Sequence, residues 1–391
     1  MFALRLYYFA SYAGIGAVMP LLALALSARG FRPSQYAWLM ALTPLSRMLA
    51  PPLWGVLADR WFGTVKLIRI NTAVAALSML VLAGSHDLRL ITCAFAVWAF
   101  ASSSLVPLAD AGAYRMLAGS SSSFAYVRVF GSIGFAVCAL GLSVVGVDAA
   151  LRLPFMVAAG TYVSASLIAG RLHEGAGPTR APLVGAFRLL LRRPDVLLLW
   201  LGSVFYYLGH GAFDAYFGPY ARTIEGVEPS TISSAWALGV GCEVLLMWWV
   251  PRFLRGRLRR SLLIGAATTA ALRWWLLARA STALDVWLQQ PLHAITYGLW
   301  YLAFVHENQS SVDDSIRATV QGVAVACMGL GMIVATLAGG YVFESYGGRT
   351  LFQLATGAAL LALLCYAARQ WLLARRQAAA HNALASTVTE T

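Results

Sequence analysis

The sequence predicts an all-α integral membrane protein of twelve transmembrane helices arranged as two six-helix bundles, and three observations predict it. First, 60% of the 391 residues are hydrophobic and only 12% are charged, against about 45–50% and about 25% in an ordinary soluble chain. Second, a helix that crosses a bilayer needs about 20 mostly apolar residues. Twelve such runs with short connections consume this length, which excludes a soluble enzyme and leaves no room for a separate soluble domain. Third, the longest polar interval lies near the middle of the chain and divides the runs six and six.

The runs follow one another between charged or turn-forming residues. The first, 4–28, starts beside Arg5 and stops before Arg29; the second, 35–57, starts after Arg32 and stops before Asp59 and Arg60. Residues 66–85 start at Lys66, 89–114 at Arg89, and 125–147 end before Asp148. Residues 151–171 close the first bundle, 1–171, at Arg171. The interval 172–194 carries Gly175, Gly177, Pro178, Pro182 and four arginines, and reads as a linker. Beyond it come 195–221, ending at Arg222; 230–251, ending at Arg252; and 260–279, from Arg260 to Arg279. The runs 283–305, 317–343 and 349–373 complete the second bundle, 195–376, and leave a weakly structured tail, 377–391.

The formal charge of +13 is not a nucleic-acid footprint, because the basic residues are dealt out between the runs instead of gathered on one surface. With the N-terminus cytoplasmic, twenty of them fall in cytoplasmic loops and seven in the opposite ones. The bias of short loops therefore places both termini in the cytoplasm, across a bacterial inner membrane. The five cysteines fall singly in five different runs and read as free, buried thiols.

A charged side chain at the bilayer centre costs at least about 2.5–3.5 kcal/mol, so each one asks for a partner or a function. Eight ionisable residues interrupt the runs: Arg47, Asp110, Arg128, His210, Asp214, Glu243, Arg273 and His293. Helical rise places Asp214, Glu243, Arg273 and His293 at middle depth, and Asp110 and Arg128 toward the cytoplasmic side. The set is expected to balance its charges around one polar cavity. A carboxyl withdrawn from water favours its protonated form, and an arginine swinging in favours the charged one, which is the chemistry of a proton-coupled carrier. The plainer reading is a set of static ion pairs holding helices together. His210 and Asp214, four apart, lack the further ligands a metal site needs, and no catalytic motif is present, so neither metal, cofactor nor enzymatic activity is expected. Most aromatic residues lie near the ends of runs, where interfacial belts account for them; Tyr12 and Tyr297, nearer mid-span, are candidates for stacking on a solute.

Gly55-Val56-Leu57-Ala58-Asp59-Arg60 resembles the G-x-L-a-D-R signature between helices 2 and 3 of the major facilitator superfamily, which implies a gating role for Gly55, Asp59 and Arg60. Tyr126 to Phe135, YVRVFGSIGF, is similar to the start of helix 5 in the lactose permease group and its phenylpropionate and nucleoside permease relatives. In that group an acid on helix 4 and an arginine on helix 5 bind the sugar. Asp110 and Arg128 stand at the same separation, with Phe135 at the position of a sugar-stacking tryptophan. Asp214, Glu243, Arg273 and Leu292-His293 also match, as do Gly339-Gly340-Tyr341 and Glu344-Ser345-Tyr346-Gly347, so the resemblance covers nearly the whole chain. Gly209-His210-Gly211-Ala212-Phe213, and Pro51-Pro52 with Arg47 upstream, look more like the phenylpropionate branch, where Arg47 would suit a substrate anion.

Two departures shape the expected mechanism. Thr296 stands where the lactose permease carries its coupling acid, and Gly329 where it carries a helix 11 lysine. A proton must therefore use Glu243, Asp214 or His293, with Arg273 as counter-charge. The resemblance implies a monomeric carrier that imports a small polar solute, such as a sugar, nucleoside or aromatic carboxylate, together with a proton by alternating access. The alternatives are an efflux antiporter on the same fold and a non-transporting membrane sensor. Span 5 lacks the proline of the helix 5 pattern usual in drug antiporters, and a sensor would be expected to add a signalling domain.

Overall fold

The computed structural model describes residues 2–117, 124–146, 151–172, 193–249, 257–310 and 317–389. Among them every regular element is helical: α1 (Phe2–Val18), α2 (Leu22–Ala28), α3 (Pro33–Leu57), α4 (Thr64–Gly84), α5 (Leu88–Ser102), α6 (Leu105–Leu117), α7 (Phe124–Val145), α8 (Arg152–Ala169), α9 (Pro194–Ala221), α10 (Pro229–Trp249), α11 (Arg257–Ala278), α12 (Ala283–Leu288), α13 (Trp300–Ser310) and α14 (Arg317–Thr389). Eight helical stretches are long and apolar enough to cross a bilayer, and α1 with α2, bent by 43° where Met19 and Pro20 interrupt the helix, makes a ninth.

The element order is consistent with twelve traverses. The fourth expected run is α5 and α6 broken at Ser103 and Ser104, and the tenth is α12 and α13 joined through a π-helical turn, Ala294–Leu299. The last two are the limbs of α14, which meet at Gly347, where φ is +80°. Gly331 lies against Val204 and Tyr207, and Gly340 against Tyr216, so the first limb runs parallel to α9. Gly348 lies against Tyr220 and Tyr366 against Gly202, so the second limb runs back. A left-handed residue is what such a reversal needs, and glycine adopts it without a Cβ clash. The second limb continues as helix through 377–389, where the sequence predicts a weakly structured tail. Most of the expected linker, 173–192, lies outside the described residues.

In the first half, α1 packs on α7 and α8, and α4 on α5 and α8. In the second, α14 packs on α9 and α11. The halves meet where α3 lies along α14 and α7 along α10. Contacts between them concentrate at one end. There Tyr36 meets Tyr216 with ring centroids 5.8 Å apart, Ser34 donates its backbone N–H to Glu344 Oε2 at 3.0 Å, and Gly340 is pressed on Ala37. Further along the two helices Gly329 still packs on Met48, while a Cβ added at Gly55 or Gly322 would meet nothing within 4 Å.

The α1–α7 contact is close enough to depend on missing side chains. A Cβ on Gly16 would lie 2.4 Å from the Phe135 carbonyl oxygen, and one on Gly134 2.2 Å from that of Phe9. Neither carbonyl can swing away, since both belong to helices, so backbone-to-backbone packing holds this pair. Gly134→Val is therefore expected to cost more than about 3 kcal/mol and to lower the melting temperature in detergent sharply. Gly160→Ala, whose added Cβ meets nothing within 4 Å, should melt like the parent; equal melting of both variants would contradict the packing.

The cysteines are all free, but only Cys365 is buried as expected. Cys138, Cys242 and Cys327 are half-buried and Cys93 is exposed, because the outer faces of these helices look toward lipid.

Candidate functional site

Packing α1 against α7 brings together the first half of the site. Tyr8 and Tyr12 lie one helical turn apart on α1 and face Asp110 on α6 and Arg128 on α7. The Tyr8 hydroxyl donates to Asp110 Oδ1 at 2.5 Å, and the Arg128 guanidinium lies over the Tyr12 ring, 4.3 Å from its centroid. Gly131 makes room for that stack, since a Cβ there would come within 3.0 Å of both the Tyr12 ring and Arg128 Nη1. Asp110 and Arg128 lie within electrostatic range of each other while each keeps a tyrosine partner.

The second half is built around Arg273 on α11, which is 0% exposed. A buried guanidinium needs every N–H satisfied, and α12 with the turn after it supplies the acceptors. Nε donates to Gln289 Oε1 at 2.8 Å, Nη2 to Gln290 Oε1 at 3.2 Å, and Nη1 to Thr296 Oγ1 at 3.0 Å and His293 Nδ1 at 3.2 Å. Phe213 and Trp274 cover its faces, with centroids 4.4 and 4.8 Å from Cζ. Arginine only donates, so His293 Nδ1 must accept, and the imidazole proton sits on Nε2. That atom faces Glu243 Oε2 at 3.4 Å. Glu243 on α10, His293 just before the π-helical turn and Arg273 on α11 thus form one polar chain.

The π-helical turn that follows His293 gives Thr296 a second task. Its carbonyl oxygen accepts from the Tyr206 hydroxyl at 2.5 Å and from His210 Nε2 at 3.1 Å. Loosened i→i+5 bonding is often found at functional sites. His210 is consequently 3% exposed among the rings of Tyr206, Tyr207, Trp274 and Tyr297. Its ring is enclosed by other side chains.

The two halves face each other. Arg128 lies within electrostatic range of Glu243 and Tyr297, and Arg47 within range of Asp214 and Tyr12. Tyr297 stacks on His293 with centroids 5.3 Å apart and is still 41% exposed, so one side of its ring is open. Phe135, expected to stack on the solute, is 8% exposed and packs across the interface on Trp236 at 5.9 Å. The charges gather in two clusters with neutral hydrogen-bond partners, Tyr8 in one and Gln289, Gln290 and Thr296 in the other, which act on each other electrostatically through Arg128 and Glu243. Gly55 lies in the last turn of α3 and Asp59 in the π-helical turn Ala58–Phe62, with Arg60 exposed beside it. Tyr8, Gln289, Gln290, Thr296 and Trp236 escape a reading based on charge. The adjacent Gln289-Gln290 within an apolar run was the one available signal. Among the described residues no three His, Cys, Asp or Glu side chains are gathered to hold a metal ion.

An all-helical architecture whose element order is consistent with twelve traverses, carrying two facing polar clusters, is that of a membrane transporter of the major facilitator type. The chain belongs to the MFS_1 like family, whose model matches residues 1–354. It is 29% identical over 382 residues to a maltose permease of Geobacillus stearothermophilus, covering 93% of this chain and 94% of that one. It is 27% identical over 365 residues to a probable 3-phenylpropionic acid transporter of Escherichia coli, covering 88% and 91%. Among solved structures, the nucleoside transporter NupG superposes with a TM-score of 0.82 at 16% identity, over 94% of this chain and 98% of that one.

Proposed function

We propose that this transporter imports a small polar organic solute with a proton, by alternating access across a bacterial inner membrane. The observation that carries the reading is the opposition of two clusters, Tyr8–Asp110 with Tyr12–Arg128 on one side and Glu243–His293–Arg273 on the other, with the open ring face of Tyr297 beside Arg128. Asp110 and Arg128 hydrogen-bond the solute, Tyr12 and Tyr297 flank its ring, and Arg47 receives a carboxylate where the solute has one. Glu243 takes the proton, with His293 and Arg273 sensing its charge and Asp214 as the second acid. The moving bodies are 1–171 and 195–376, joined by a cytoplasmic linker, 172–194. With both termini cytoplasmic, the end closed by Tyr36, Tyr216 and Glu344 is the outer one, and the chain works as a monomer. The names of the similar proteins supply three solutes, maltose, a nucleoside and 3-phenylpropionic acid, and so three classes: a sugar, a nucleoside and an aromatic carboxylate.

The test is uptake of radiolabelled maltose, uridine and 3-phenylpropionate into proteoliposomes under an imposed pH gradient. One class should accumulate when the outside is acid and only equilibrate when the gradient is collapsed. Accumulation driven by the opposite gradient would mean efflux, and no accumulation of any class would overturn the import reading.

A further inference from the structure

A groove of about 660 Å³ lies between the first turns of α9 and the facing turns of α14, lined by Pro194, Leu197, Leu201, Val204, Val323 and Cys327, with Trp200 and Leu198 behind. It lies where the two helices splay below their close crossing at Gly331, where a Cβ would come 2.4 Å from the Val204 carbonyl oxygen. Both walls belong to stretches apolar enough to cross a membrane, and Leu197 and Leu201 are exposed, so the groove opens toward hydrocarbon. At its mouth the character changes abruptly. Asp195, buried, is paired with Arg193 at 2.6 Å and Arg376 at 2.9 Å, and those two arginine side chains remain 40% and 52% exposed. Among the described ion pairs two guanidiniums share one carboxylate, a surplus of positive charge placed at the N-terminus of a 28-residue helix whose dipole adds to it.

We propose that this groove seats an acyl chain of an anionic phospholipid whose phosphate rests on Arg193 and Arg376. The charge complementarity selects the headgroup, and the apolar walls, continuous with the bilayer core, select the tail. A zwitterionic lipid fills the groove equally well but brings no net charge to the surplus cation. A bound chain would brace the splayed ends of α9 and α14, coupling membrane composition to the packing of the second half.

The test is native mass spectrometry of the full chain released from detergent micelles, with phosphatidylglycerol or phosphatidylcholine of the same acyl chains. One phosphatidylglycerol should be retained about five-fold more tightly than phosphatidylcholine, as one basic residue near an anionic headgroup gives. Arg376→Gln should erase that preference, and Leu201→Trp, which fills the groove, should weaken retention of both lipids. In a variant whose only cysteine is Cys327, phosphatidylglycerol should slow maleimide labelling, which keeps the proposal testable where Arg376→Gln fails to fold. Equal retention of the two lipids by the parent, an unchanged preference in Arg376→Gln, or labelling of Cys327 indifferent to lipid would each overturn it. So would glycerophosphoglycerol, the headgroup without chains, protecting Cys327 as well as the intact lipid.

Discussion

Replacing Arg128 by alanine is expected to weaken solute binding by about 2–4 kcal/mol, or thirty- to several-hundred-fold, in a protein that still folds. The guanidinium lies over Tyr12, within electrostatic range of Asp110, Glu243 and Tyr297, so it is presented to both clusters. Its loss removes a planar donor that serves two hydrogen bonds at once and leaves Asp110 with Tyr8 alone. The fold should survive, since the α1–α7 packing rests on the glycine contacts and not on this charge. Arg128→Lys should recover little, because an ammonium neither stacks on Tyr12 nor presents a fork of donors. Thermal stabilisation of the purified protein by the transported solute provides the measurement. An alanine variant stabilised as strongly as the parent would remove Arg128 from the site.

Glu243→Gln should separate movement of the solute from use of the proton gradient. Glutamine keeps the shape, and its Oε1 can still accept from His293 Nε2–H, so the α10-to-α11 chain persists without a titrating group. A gradient of one pH unit is worth about 1.4 kcal/mol per proton, enough for about ten-fold accumulation with one proton per solute. The parent should approach that ratio and the glutamine variant should stay near one-fold, while exchange of labelled for unlabelled solute continues. Full gradient-driven accumulation by Glu243→Gln would assign the proton elsewhere, with Asp214→Asn as the next variant to test.

Helix positions were readable in the sequence because bilayer thickness imposes one length on every traverse and loop charges interrupt the apolar runs. The eight ionisable residues were readable for the same energetic reason, since each costs too much inside a membrane to pass unnoticed. Which of them meet was not readable. A membrane helix is apolar toward lipid and toward its neighbours, so hydropathy does not report which way Arg273 or Asp214 points. The partners of Arg273 were hidden too, because Gln289, Gln290 and Thr296 are neutral and leave little mark on composition. The π-helical turn at Ala294–Leu299 is a backbone event with no side-chain signature. Phe135 aligned with a solute-stacking position and yet packs on Trp236, a partner on another helix 101 positions further along the chain.

In and beside the two clusters stand three carboxylates, Asp110, Asp214 and Glu243, and three guanidiniums, Arg128, Arg273 and the exposed Arg47, with a His293 that is neutral while Nδ1 accepts from Arg273. Fully ionised, this set carries no net charge, so the membrane potential has nothing to pull on as it reorients. With a proton on Glu243 the same set carries one positive charge, and a full crossing of the field is worth about 2.3 kcal/mol per 100 mV. Under the proposed coupling, voltage acts on the loaded carrier and spares the empty one, so an inside-negative potential would speed delivery without slowing the return.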